Sequence, residues 1–206
     1  IISRKSKKRY KIHELNQLSK SLRKKISLDL KNIVKIKKNF SNLNFKNIPN
    51  IMGILNLTPD SFSDGGKFVK NNKGTKHAIE MIRSGANIID VGGESTRPGS
   101  KAVNVKIEWN RIYKILNTIS KKIPISLDTR KSEIMEKGIK LGVKIINDVS
   151  GLSYDYNSIN ILKKYKTSLV IHHMQGSPEN MQNNPSYKNE LLDIYDFFEE
   201  RIKLLR

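Results

Sequence analysis

Ile51-Met-Gly-Ile-Leu-Asn56-Leu-Thr-Pro-Asp60-Ser-Phe-Ser-Asp64-Gly-Gly66 divides sharply in two. Its opening residues Ile51, Met52, Ile54 and Leu55 have the composition of a short strand buried on both faces. From Asn56 onward the residues turn polar, and Pro59 and the Gly65-Gly66 pair end regular structure and admit unusual backbone angles. Taken alone, such a stretch is a polar turn between a strand and a helix. A second passage repeats the pattern, however. Asn87-Ile-Ile-Asp90-Val91 is another short apolar strand, and it opens into Gly92-Gly93-Glu94-Ser95-Thr96-Arg97-Pro98-Gly99-Ser100. Two buried strands, each opening at its C-terminal end into a Gly-rich polar loop, indicate an active-site face.

The rest of the chain continues the alternation. After the strand ending at Asn56, residues 73–84 read as a helix with Ala78, Ile79 and Ile82 inward and Gly85 as its stop. After the strand ending at Asp90, Asn104 is placed to cap a helix carrying Ile112, Ile115, Leu116 and Ile119 at helical spacing. Residues 124–128 form the third strand and 131–141 a helix stopped by Gly142. Residues 143–148 form the fourth strand, followed by a helix near 157–166. Residues 168–173 form the fifth, followed by a helix with Leu191, Tyr195, Phe198 and Ile202 on one face. Five βα units in succession give an α/β fold with a parallel sheet or barrel. The strand ends are Asn56, Asp90, Asp128, Asn147-Asp148 and His172-His173. Each alone is an ordinary turn former; together at successive strand ends they mark the face where both barrels and open doubly wound sheets keep their ligands. Neither GxGxxG nor GxxxxGK[ST] occurs, which argues against a nucleotide-binding open sheet. His172 and His173 are adjacent in a strand and face opposite sides, so at most one points into the site, which argues against a bis-histidine metal site. A hard ion on oxygen ligands and substrate phosphates remains open.

Upstream, Ile12, Leu15, Leu18, Leu22 and Ile26 recur at spacings of three and four, one stripe of a surface helix packed on the domain. Val34/Ile36 and Leu43/Phe45 alternate, as short extended pieces or a hairpin do. The net charge of +20 is concentrated here: residues 1–40 hold 14 Lys/Arg against Glu14 and Asp29, which is +12 of the total. That charge suits anionic ligands or nucleic acid. It equally suits a solvated face in a chain rich in Lys, Asn and Ile throughout, and nucleic-acid binding is the less favoured reading. The chain has no cysteine, hence no disulfide, zinc-thiolate or thiol chemistry. No apolar run approaches the ~20 residues of a membrane helix. The basic start lacks a hydrophobic centre, and it is Lys-rich rather than Arg-rich, so the expected compartment is the cytoplasm. The first residue is Ile1 rather than Met, as in a piece of a longer reading frame.

Both anchor passages closely resemble signature segments of the dihydropteroate synthase family of pterin-binding enzymes. Residues 52–66 resemble the first signature and residues 85–99 the second. Ile125-Ser-Leu-Asp-Thr129, Ile145-Ile-Asn-Asp148 and His173-Met-Gln-Gly176 resemble the next three strand ends in order. The resemblance covers 43–206 and leaves 1–42 as a basic, helical N-terminal extension. It implies a (β/α)8 TIM barrel, and a reaction joining 4-aminobenzoate to 7,8-dihydropterin-6-ylmethyl diphosphate, with 7,8-dihydropteroate and pyrophosphate as products. It also implies a folate-biosynthetic, sulfonamide-targeted transferase, with a homodimer allowed. Carried over residue by residue, it places Asp128 and Asn147 on the pterin edge and Thr96 and Arg97 on the leaving pyrophosphate. Mg2+ falls on Asn56, and Asp60, Ser61, Phe62 and Pro98 fall around the aminobenzoate pocket. Loop 57–71 becomes a lid hinged at Gly65-Gly66. Asp128, Asn147 and Arg97 are thus the expected catalytic group. An eight-strand barrel needs about 250 residues, and the family's later motifs do not occur here. The expectation is therefore the first five units, inactive as they stand. Two other readings are a pterin-dependent methyltransferase of the same superfamily, which has no use for the Arg97 loop, and a non-catalytic basic protein binding RNA or a partner.

Overall fold

The computed structural model describes residues 8–35, 43, 49–58 and 73–206. Five strands alternate with helices: β1 (Met52–Asn56), α2 (Lys73–Arg83), β2 (Ile88–Gly92), α3 (Val105–Ile119), β3 (Ile125–Asp128), α4 (Ser132–Lys140), β4 (Ile145–Asp148), α5 (Asn157–Tyr165), β5 (Ser168–Ile171) and α6 (Glu190–Leu205). A 3-10 helix, Ile12–Gln17, and α1 (Lys20–Val34) precede them. The strands lie in one sheet in the order β1-β2-β3-β4-β5, every neighbouring pair parallel. The parallel sequence of βα units expected from the pattern is present. As expected, Gly85 (φ 101°) and Gly142 (φ 96°) follow the ends of α2 and α4 in the left-handed region that glycine enters without strain.

Side chains alternate across a strand, so the register divides the sheet into two faces. Leu55, Ile89, Val91, Ile125, Leu127 and Ile146 face the helices. There they pack with Ala78, Ile112, Leu116, Ile119, Ile134, Met135 and Leu162 in the main core. Full burial of each large aliphatic side chain is worth about 1.5–3 kcal/mol, and this layer fixes how the strand ends stand relative to one another. The opposite face carries a smaller cluster of Leu43, Ile88 and Ile145 with Val170 against it. Leu43, a single bridged residue, thus reaches the inner face from outside the sheet.

Four expectations change. β1 is not buried on both faces: Met52 is 42% and Ile54 64% exposed, because β1 is an edge strand and, among the described residues, only its helix-facing side is covered. The N-terminal stripe is not one helix. The chain breaks at Leu18, Ser19 caps α1 by accepting from the Leu22 N–H, and no residue of either helical piece is buried. Val34 is the last residue of α1 rather than part of a hairpin, while Ile36 and Phe45 lie outside the described residues. On α6 the expected face is divided: Leu191, Tyr195 and Ile202 are exposed, while Phe198 packs with Phe197 against His173.

Candidate functional site

The strand register sets one row across the C-terminal end of the inner face. Asn56 lies beside Gly92, Gly92 beside Asp128, Asp128 beside Asn147, and Asn147 beside Val170. Three of the expected site residues, from β1, β3 and β4, are therefore brought together. Gly92 leaves the gap between them: a Cβ there would stand 3.3 Å from Asn56 Oδ1 and 3.3 Å from Asp128 Oδ2. Asn56 and Asp128 thus turn oxygen atoms toward the place a side chain on Gly92 would crowd. Neither side chain has a hydrogen-bond partner among the described residues. Burial foremost, and then the negative charges of Asp90, Glu108, Asp148 and Glu94, push the Asp128 carboxyl up to about 8.

Asn147 is held from two sides. Its Nδ2 donates toward Asp90 Oδ1 and Oδ2 at 3.3 and 3.4 Å. Its Oδ1 lies 2.8 Å from His172 Nε2. Burial raises the Asp90 carboxyl above the usual range, with Ser126, Asn147 and the charge of His172 pulling it back. The histidines face opposite sides as expected: His173 stacks edge-on against Phe197 with centroids 4.7 Å apart and lies 3.1 Å from Tyr187 Oη. Asp148, the other carboxylate of that strand end, faces the helices. It accepts from the Ser150 N–H at 2.8 Å, the Ser150 hydroxyl at 2.7 Å and the Leu152 N–H at 3.0 Å, and so shapes its own turn.

Thr96, Arg97 and Pro98 sit on the loop after β2. Thr96 is half-buried; Arg97 and Pro98 are exposed. The loop folds on itself: the Ser100 N–H donates to Arg97 O, the Ser100 hydroxyl to Ser95 O, and the Gly99 N–H to Pro178 O in the loop after β5. The Arg97 N–H donates to Ser95 Oγ at 3.4 Å. Three N–H groups of this loop are thus used within the protein, leaving the Arg97 guanidinium as its exposed cation. Asp60, Ser61 and Phe62, with most of the expected lid and its Gly65-Gly66 hinge, lie outside the described residues.

Beneath the loop lies a buried ionic network that motif reasoning missed. Glu94 accepts from Arg130 Nε and Lys131 Nζ, each at 2.7 Å, and from the Val103 N–H at 2.8 Å. Lys131 Nζ also donates to Glu108 Oε2 at 2.6 Å, and the Thr129 hydroxyl to Glu108 Oε1 at 2.6 Å. The Arg130 guanidinium stacks 4.0 Å over the Tyr154 ring. Burial would raise Glu94, but its cationic partners outweigh this and hold it low. The signal was present: a carboxylate directly after Gly92-Gly93 and two cations directly after a buried strand must find each other. Of the described residues, no group of three or more His, Cys, Asp or Glu can hold a metal.

Residues 52–206 match the sequence profile of the pterin binding enzyme family. The chain belongs to that family. The dihydropteroate synthase of Neisseria meningitidis serogroup C is 44% identical over 157 residues, covering 74% of this chain and 55% of that protein. The dihydropteroate synthase of Escherichia coli K12 is 42% identical over 156 residues, covering 75% and 55%. Among solved structures, dihydropteroate synthase from Clostridium difficile, determined in the presence of pteroic acid, aligns with a TM-score of 0.67 at 41% identity, covering 76% of this chain and 58% of that one. The Yersinia pestis enzyme, in a sulfonamide drug complex, aligns at 0.69 and 37% identity, covering 75% and 57%. The chain therefore spans about 55% of the length of the curated relatives it matches. No helix among its described residues is long and apolar enough to cross a membrane.

Proposed function

We propose that the protein is a dihydropteroate synthase of folate biosynthesis. On this reading the amine of 4-aminobenzoate attacks the methylene of 7,8-dihydropterin-6-ylmethyl diphosphate. A C–N bond forms, the C–O bond to pyrophosphate breaks, and the amine loses a proton. Asp128 carries the reading. Among the described residues it is a half-buried carboxyl without a hydrogen-bond partner, set between two strand-end amides, where a flat ring bearing N–H donors on one edge would supply the missing partners. Asn147 reads the neighbouring position of the same edge.

The leaving pyrophosphate calls for a cation, and the exposed Arg97 guanidinium with the Thr96 hydroxyl supplies hydrogen-bond donors for it. Mg2+ suits the oxygen beside Gly92: Asn56 Oδ1 is a hard, neutral ligand without a hydrogen-bond partner among the described residues, and the other positions would go to water and phosphate oxygens. When bound, the ion would neutralise charge on the diphosphate. Asp60, Ser61, Phe62 and Pro98 are assigned to the aminobenzoate pocket by resemblance. A cytoplasmic setting is part of this reading. The Arg97 loop favours the synthase over a pterin-dependent methyltransferase, which has no pyrophosphate to hold.

The test is turnover of 4-aminobenzoate and the pterin diphosphate by the protein as the cell makes it, with Asp128→Ala and Arg97→Lys beside it. Asp128→Ala should lower kcat/KM by roughly 2–4 kcal/mol of transition-state stabilisation. Arg97→Lys should lower it despite keeping the charge, since the planar fork is lost. Parent rates in both variants would remove this site from the reaction.

A further inference from the structure

Among the described residues, Asn147 is the only side chain of the inner-face row gripped at both ends. An amide turned by half a revolution exchanges a donor for an acceptor. A site that reads a ligand edge through Asn147 therefore needs something to decide which way the amide points. Asp90, when ionised, offers acceptors alone, so the amide NH2 faces it. Oδ1 then faces His172, and the imidazole carries its hydrogen on Nε2. The contacts to Asp90, at 3.3 and 3.4 Å, are split over two oxygens and lie beyond the usual hydrogen-bond range. The contact to His172, at 2.8 Å, is the short one.

We infer that His172 is a positioning residue that locks the Asn147 amide, leaving one N–H and one oxygen lone pair aimed at a planar heterocycle with alternating donors and acceptors. The inference rests on the pterin reading above. His172 is well placed for this role. It stands directly after β5, with its backbone N–H donating to Asp148 O at 3.3 Å, so strand pairing fixes its position. It is exposed and, among the described residues, has no aromatic neighbour, in contrast to the packed His173. The chain of contacts runs from β2 through β4 to the residue after β5 and ties these three strands into one orientation.

The variants are His172→Met, which has no donor, and His172→Gln, whose amide restores one. Each is made in the protein as the cell produces it, with pteroic acid as the equilibrium probe. His172→Met should weaken pteroic acid about tenfold and raise KM for the pterin diphosphate while leaving KM for 4-aminobenzoate unchanged. His172→Gln should return both to within about threefold. In the ligand-free protein, the 15N-resolved Asn147 side-chain amide should give one sharp pair of resonances in the parent and His172→Gln, and broadened ones in His172→Met. Equal affinities and equal line widths in all three proteins would overturn the lock, and so would a Gln variant as impaired as Met. If the parent binds no pteroic acid at all, the proposed function fails, and the amide resonances still decide whether His172 orients Asn147.

Discussion

A carboxyl displaced to about 8 is neutral at pH 7, yet two ring N–H groups require an ionised acceptor. Binding of a pterin edge at Asp128 should therefore release a proton. Affinity should rise with pH up to about 8 and level above it. Calorimetric titration with pteroic acid at pH 6.5, in two buffers of different ionisation heat, reads the released proton; Asp128→Asn should abolish both the release and the pH dependence. The same displacement bears on stability. The folded-state value lies above that of the unfolded chain, so the contribution is fully present below pH 4 and lost as pH rises through 8. Each pKa unit corresponds to about 1.4 kcal/mol. If half the displacement survives solvent screening, Asp128→Asn should gain about 2–3 kcal/mol over the parent between pH 4 and pH 9, measured by urea unfolding at both. The row of Asn56, Asp128 and Asn147 was legible in the sequence because each is the polar residue that closes an apolar run. Asp90 and His172 were harder. The pattern ends the second strand at Asp90, since glycine is a poor strand former, whereas β2 runs on to Gly92. That extension moves Asp90 one row behind the ligand face, where it supports Asn147.

Between elements, the Glu94–Lys131–Glu108 contacts join the β2 loop, α3 and the start of α4 with side chains no more than 6% exposed. Lys131→Met would leave Glu108 buried with only the Thr129 hydroxyl, and losing one partner of a buried pair costs about 3–5 kcal/mol. Lys203→Ala breaks an exposed i,i+4 pair with Glu199 and should cost below about 0.5 kcal/mol. Thermal and urea unfolding of both variants checks the contrast. Asp155 forms a second junction, its two oxygens accepting from the Ser132 N–H at 2.8 Å and the Asn157 N–H at 3.0 Å, at the starts of α4 and α5. Hydrogen bonding outweighs burial and holds its carboxyl below the usual range. Asp155→Ala should cost about 1–2 kcal/mol and speed amide exchange at Ser132 and Asn157 together. Local signals located most helices, including the Asn104 cap, whose Oδ1 accepts from the Ile107 N–H at 2.8 Å. Periodicity alone misled at the N-terminus: spacings of three and four run on through Leu18 and Leu22 although the backbone breaks at Leu18 and restarts at the Ser19 cap. On α6 the same spacing picks out a face of which Phe198 packs while Leu191, Tyr195 and Ile202 stay exposed.

At the scale of the molecule, the sheet has two open edges among the described residues, at β1 and β5. Around β1 the apolar Ile51, Met52 and Ile54 are 56%, 42% and 64% exposed. Unpaired, apolar strand edges recruit other chains. Residues 1–206 expressed alone should therefore form concentration-dependent assemblies and melt broadly, with no dihydropteroate formed. Light scattering after size exclusion, a thermal melt and an assay with both substrates and Mg2+ check this; a monodisperse monomer with a sharp melt and turnover would show that five units suffice. The parallel order of the sheet was legible from the alternation of apolar runs and helices. The inner-face seat of Leu43 was not, because the Leu43/Phe45 alternation names an extended piece without naming the face it packs on. That order carries one more consequence. Each strand pairs with the one made just before it, so no unit waits for a distant stretch of chain to find its neighbour. Pairing with the preceding strand closes a shorter loop than pairing with a distant one, at a lower entropic cost, and domains form as they emerge from the ribosome. The sheet can grow with synthesis, one βα unit at a time, behind a single advancing edge that the next unit covers.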